Sequence, residues 1–161
     1  MPKKVLYLFV FLLFFLAGKG QGNVNEKEKL IEKENEVKAT VMRLFDAMRD
    51  ADGGVIGSLF TDSAILQTIS LTPNEESIVK ASTVQQFSVA VSKSKKGSLD
   101  ERITFGGVHV DGMLASVWTP YQFYFDGNFS HCGANSFQLV YARGQWKIHY
   151  LIDTRRRAGC N

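Results

Sequence analysis

Val110-Asp111-Gly112-Met113, Phe125-Asp126-Gly127-Asn128 and Ala142-Arg143-Gly144-Gln145 are three short turns, each carrying a glycine and flanked by residues of high strand propensity. Asp-Gly between apolar runs signals a two-residue hairpin, because a type I′ turn needs positive φ at both central residues. The three turns predict four consecutive antiparallel strands over residues 101–110, 113–125, 128–142 and 145–155. The fold is therefore expected to rest on a meander.

The turns also set a register. If 110 pairs with 113, 125 with 128 and 142 with 145, one row across the sheet reads Phe105, Trp118, Asn135, Ile152. Positions two apart share a face. That face gathers Ile103, Phe105, Trp118, Phe137, Leu139, Trp146, Ile148 and Ile152 with the polar tips of His109, Gln122, Tyr124, His131, Asn135 and Tyr150, and is expected to be buried. The opposite face collects Arg102, Thr119, Tyr121, Phe123, Cys132, His149, Asp153 and Arg155. A bulge in strands this long would exchange the faces beyond it.

Upstream, Val37, Val41, Leu44, Phe45 and Met48 recur at helical spacing and form one apolar stripe. Asp52-Gly53-Gly54 ends that helix. A short helix is expected over 55–60, a brief strand over 64–69, a turn at Pro73-Asn74, and a third helix capped by Ser82 or Thr83 with Val84, Phe87 and Val91 inward.

The N-terminus reads as a secretory signal over residues 1–22: Lys3 and Lys4 form a basic start, residues 5–17 an apolar run, and Ala17, Gly18, Gly20 and Gly22 supply small residues near a cut. An uncleaved anchor is the alternative, disfavoured by the shortness of the apolar run. A charged lead-in covers residues 23–35, and one domain covers 36–161. The expected location is secreted or periplasmic. The net charge of +3 rests on Lys3, Lys4 and Lys19, three of 19 basic residues, so the rest balance the 16 acidic ones. A neutral mature chain gives no reason to expect nucleic acid, and none to expect a membrane after cleavage. Cys132 and Cys160 are expected to form a disulfide that clamps the C-terminus in an oxidising compartment. A catalytic Cys132 is the rival reading, weakened because His131 beside it points to the other face.

The element order, Phe45, the segment Ile56-Gly57-Ser58-Leu59-Phe60-Thr61-Asp62-Ser63-Ala64 and Gly144-Gln145-Trp146-Lys147-Ile148 resemble the nuclear transport factor 2-like (SnoaL-like) superfamily. Trp118-Thr119-Pro120-Tyr121, Phe129-Ser130-His131-Cys132-Gly133 and Ile152-Asp153-Thr154-Arg155-Arg156 are similar to recurrent stretches of its lumazine-binding branch. The resemblance implies an α+β, cystatin-like cone, with helices packed on a curved antiparallel sheet of four to five strands around a pocket. The superfamily hosts isomerases, dehydratases, hydrolases, ligand binders and assembly modules, so the fold alone assigns no activity.

An apolar wall with a few polar groups describes a small-molecule pocket. Phe105, Trp118 and Phe137 offer stacking area, and Asn135, His131 and Tyr150 offer polar recognition. The first expectation is a binding domain for a small, planar organic ligand. The second is a lyase or isomerase with His131 as general base and Tyr124 or Tyr150 as donor. The third is an assembly module with a vestigial pocket. The inner face so derived holds no carboxylate, which counts against a ketosteroid-isomerase type of base. His109, His131 and His149 lack metal-ligand spacing, so neither metal nor other cofactor is expected. Tyr121 and Phe123 on the outer face, with Val117 and Val140, predict a homodimer.

Overall fold

The computed structural model describes residues 20–72, 74 and 76–160. Most of the signal segment, residues 1–19, and Pro73 of the anticipated turn lie outside the described residues. The chain divides into two units, Met1–Lys33 and Glu34–Asn161. Helix α1 runs Gly20–Asp50, so residues 20–33 of the first unit are helical.

The second unit holds the rest of α1 and every later element: α2 Gly53–Leu59, β1 Phe60–Leu71, β2 Ser77–Ser82, α3 Val84–Ser92, β3 Leu99–Ile103, β4 Gly107–Asp111, β5 Leu114–Phe125, β6 Asn128–Ala142 and β7 Gln145–Thr154. The helix stripe is buried as its spacing requires, with Val37, Val41, Leu44, Phe45 and Met48 all in the core. Ala51 ends α1 in the left-handed region, and the Asp52 carboxylate then caps α2 by accepting from the Val55 amide at 2.9 Å. Thr83 caps α3 in a full capping box, exchanging side-chain and backbone hydrogen bonds with Gln86.

The sheet has seven strands in the order β2-β1-β7-β6-β5-β3, with β4 also paired to β5. It is mixed: β1 lies parallel to β7, while the other ladders are antiparallel. The expected count of four to five rises for two reasons. The first meander strand is broken at Thr104-Phe105-Gly106 into β3 and β4, and the stretch Ser77–Ser82, which was not expected to be a strand, forms a hairpin partner for β1.

Two turns fall where the sequence sets them. Asp126-Gly127 and Arg143-Gly144 have positive φ at both residues. The first turn is displaced: Asp111 pairs with Leu114, and the loop is Gly112-Met113, with positive φ at Gly112.

Bulges then move the register. Between Phe123 and Tyr124 the β5–β6 ladder slips by one residue, so Trp118 faces Ser136 and Thr119 faces Asn135. A second slip between Gln138 and Leu139 makes Asn135 the partner of Asp153. An odd slip exchanges which side chains look inward. Thr119, Tyr121, Phe123, Asp153 and Arg155 therefore stand on the inner face. Trp118, Gln122, Tyr124, Tyr150 and Ile152 stand on the outer one.

Candidate functional site

The inner row across the sheet now reads Thr68 on β1, Asp153 on β7, Asn135 on β6 and Thr119 on β5, with Glu101 of β3 beside Phe123. These polar groups sit above a core built on Phe137, Leu139 and Ile148, all fully buried. Phe137 meets Phe45 edge to face at 6.2 Å between ring centres.

The row is one hydrogen-bonded network. Asp153 accepts from Thr68 Oγ1 at 2.5 Å through Oδ1, and through Oδ2 from Arg155 Nε at 2.9 Å and the Tyr121 hydroxyl at 3.2 Å. Tyr121 also donates to the Thr154 carbonyl at 2.9 Å. It reaches that carbonyl by crossing Gly133, where a Cβ would lie 1.8 Å from Thr154 O and 2.7 Å from the tyrosine ring. Asn135 donates from Nδ2 to Glu101 Oε1 at 2.8 Å and to Thr119 Oγ1 at 3.3 Å.

Two adjoining hollows open over this row. One, about 100 Å³, is lined by Gln67, Thr68, Asn135 and Asp153 with Leu44 and Leu66. The other, about 210 Å³, is lined by Ala90, Val91, Leu99, Phe123 and His131. Met48, Phe87, Glu101 and Arg155 line both and mark their junction. A larger hollow of about 320 Å³ lies beside the disulfide, on Arg102, Gln122 and Arg156. Its Arg102 is already held by Asp100 at 2.8 Å and lies 4.0 Å over the Tyr124 ring. Convergent polar groups beside an apolar wall distinguish the paired hollows as the candidate site.

Burial pushes the Glu101 carboxyl up to about 7; the hydrogen bond from Asn135 partly opposes that rise, and the nearby Asp153 charge adds to it. Burial, and then the Arg155 charge, hold His131 below its ordinary value. Burial also raises the Tyr121 hydroxyl, with Asp153 and Glu101 adding to it, so it stays a neutral donor. For Arg155 burial opposes the cation, and the adjacent Asp153 carboxylate more than offsets that.

The expected site residues divide. Asn135 and His131 line the cavity, His131 packed between Tyr121 and Phe123 at 5.8 and 5.0 Å with Nδ1 3.1 Å from Ser130 Oγ. Phe137 is on the inner face but wholly within the core. Trp118 is half exposed on the other side of the sheet, and Phe105 stands exposed in the break between β3 and β4. Tyr150 donates to Gln67 Oε1 at 2.6 Å, and Tyr124 donates to Gln122 Oε1 at 3.1 Å, both on the outer face. His109 is exposed, and His149 lies 2.9 Å from Thr61 Oγ1.

The expectation of an inner face without a carboxylate is overturned by Glu101 and Asp153. Glu101 shares the parity of Ile103, so strand alternation alone carries that signal. Asp153 needed the bulge. Tyr121 and Phe123 leave the outer patch on which a homodimer was expected.

Cys132 and Cys160 are joined, with Cα atoms 5.7 Å apart. Cys132 is buried, against its expected place on a polar face, because the C-terminal tail covers it: Arg156 and Cys132 exchange two backbone hydrogen bonds at 2.9 Å.

Three helices on a curved mixed sheet, with a polar-floored cavity, define an α+β cone. The chain has the nuclear transport factor 2-like, cystatin-like fold. A nuclear transport factor 2-like protein of unknown function from Shewanella baltica superposes with a TM-score of 0.62 at 11% identity, over 80% of this chain and 97% of that one. A nuclear transport factor 2-like protein with a cystatin-like fold from Novosphingobium aromaticivorans gives 0.62 at 11% identity, over 88% and 94%. A protein of unknown function from Mycobacterium tuberculosis gives 0.61 at 17% identity, over 87% and 79%. These likenesses carry the fold and not the lumazine-binding branch. No protein-family model matches the chain, and no curated protein matches it.

Proposed function

We propose that the domain binds a small organic molecule in the cone cavity. The observation that carries this is the junction of the two hollows. There Glu101 and Arg155 stand between a polar floor and an apolar wall of Val91, Leu99 and Phe123. Hollows of about 100 and 210 Å³ are smaller than the roughly 300–1,000 Å³ of drug-sized pockets, so a single-ring ligand fits the reading. Ligand-observed NMR with a library of single-ring fragments tests it. Hits that bind the wild type and are lost in Ala90→Trp, whose fold is checked by circular dichroism, support it; a library with no hit overturns it.

A second reading is proton transfer of lyase or isomerase type, and Glu101 favours it. A part-buried carboxyl pushed up to about 7 is poised to exchange a proton at neutral pH, whereas His131 is held low. Glu101 thus takes the base role first expected for His131. Solvent deuterium incorporated into a panel of small ketones, and lost in Glu101→Gln, supports this reading; an unchanged rate in the variant removes it.

We further propose export, supported by the Cys132–Cys160 disulfide, since such bonds persist in oxidising compartments. A homodimer through the outer face is the quaternary state we propose, supported by Ile65 and Trp118, each half exposed there. A monomeric mass by light scattering at micromolar concentration would exclude it.

A further inference from the structure

The charges facing the cavity do not balance. Glu101 comes from β3, Asp153 from β7, Arg155 from just past its end and His131 from β6, with Tyr121 of β5 behind Asp153 and His131, while the cavity residues of α1, α3 and the turn after α3 are Leu44, Met48, Phe87, Ala90, Val91 and Ser94, none of them titratable. Arg155 is already committed. Its Nε donates to Asp153 at 2.9 Å, and its Nη2 lies 3.4 Å from Thr68 Oγ1. Tyr121 and Thr68 complete the Asp153 shell.

Glu101 has no such partner. Asn135 gives it one neutral hydrogen bond, and among the described residues no guanidinium or ammonium comes within ion-pair distance of it. His131, held below its ordinary value by burial, is neutral at neutral pH and supplies no countercharge. A part-buried carboxylate without a cation in contact is costly, and the group answers by keeping its proton. The Arg155 charge reaches Glu101 through space but is shared with its direct partner Asp153, so a ligand is the remaining source of a cation in contact with Glu101. The place is also right for one, because Glu101 sits where the polar hollow meets the apolar hollow of Val91, Leu99 and Phe123.

Resting on the cavity-binding reading above, we propose that the ligand class is a cationic nitrogen on a small apolar body, a protonated amine or amidine whose charge seats against Glu101 and whose body fills the Phe123 hollow. An anionic ligand is disfavoured by the same inventory, since the one guanidinium is flanked by Asp153. The proton balance follows. A protonated Glu101 releases its proton as the cation binds, and the complex holds the ammonium against a carboxylate. Glu101 titrates near 7 in the free protein, so affinity rises with pH through that point, until the amine loses its own proton.

Isothermal titration of the purified protein with benzylammonium, benzoate and benzyl alcohol at pH 6 and pH 8, in two buffers of different ionisation enthalpy, tests this. The expected result is tightest binding by benzylammonium, weakening about tenfold from pH 8 to pH 6, with proton release at pH 7. Glu101→Gln should abolish both the preference and the proton release while benzyl alcohol still binds. Benzoate or benzyl alcohol binding the wild type as tightly as benzylammonium overturns the charge assignment and leaves the cavity reading standing. Failure of all three probes to bind defeats the cavity reading and this inference with it.

Discussion

Asn135 donates to Glu101 across the intervening strand β5, so a central-strand amide and an edge-strand carboxyl, 34 residues apart, share one bond at 2.8 Å. That bond is the one hydrogen bond the Glu101 carboxyl makes among the described residues. It orients the carboxyl toward the cavity without neutralising it.

Stability should therefore depend on pH through Glu101. A carboxyl raised from 4.5 to about 7 on folding binds more protons folded than unfolded between those values. Stability is lost as pH rises through that window and is flat above it, by on the order of 3 kcal/mol. Urea denaturation at pH 5 and pH 8 should show this loss in the wild type and not in Glu101→Gln. An identical pH dependence in the two proteins would refute it. His131, held low, gives the opposite slope at acid pH in both, so the difference between them isolates Glu101.

Removing the disulfide should cost about 3–4 kcal/mol, the chain-entropy figure for a closed loop of 28 residues. Cys160→Ser and dithiothreitol treatment of the wild type should lower the denaturation midpoint equally. Cys132→Ser should do at least as much, because its side chain is buried. A reduced protein as stable as the oxidised one would show that the backbone bridge to Arg156 holds the tail alone.

Gly133→Ala tests the crossing of Tyr121. The new methyl would overlap the Thr154 carbonyl and the tyrosine ring, and both are fixed by their hydrogen bond to each other. A loss of about 2 kcal/mol is expected, within the range for overpacked cores. Combining it with Tyr121→Phe, which frees the ring from Thr154 and Asp153, should give less than the sum of the two losses. Strict additivity would place the strain elsewhere.

How far the sequence reaches is clearest at two places on the same strands. The Asp126-Gly127 and Arg143-Gly144 turns, the helix stripe from Val37 to Met48 and the Thr83 cap are local signals, and the fold follows them. The strand Ser77–Ser82 carries little apolar alternation and is a strand because β1 pairs with it. The bulges decide the site. Neither the slip at Phe123 nor that at Gln138 leaves a glycine or proline at the shifted residues, so no local chemistry announces them. Each slip exchanges the faces beyond it, which is how Asp153 enters and Trp118 leaves.

That exchange yields a sharp contrast between two aromatic residues first expected to share a role. Trp118 is half exposed on the outer face, and Phe137 is wholly enclosed against Phe45. Phe137→Ala should cost about 3–5 kcal/mol, from lost burial and the cavity left behind. Trp118→Ala should change monomer stability by less than about 0.5 kcal/mol, as exposed substitutions do, and leave fragment binding in the cavity within twofold. Urea denaturation at a concentration below any self-association, paired with titration of the same fragment into both proteins, reads both numbers. A Trp118 variant that loses binding while its fold is intact would return that ring to the cavity side and put the β5–β6 slip at Phe123 in the wrong place.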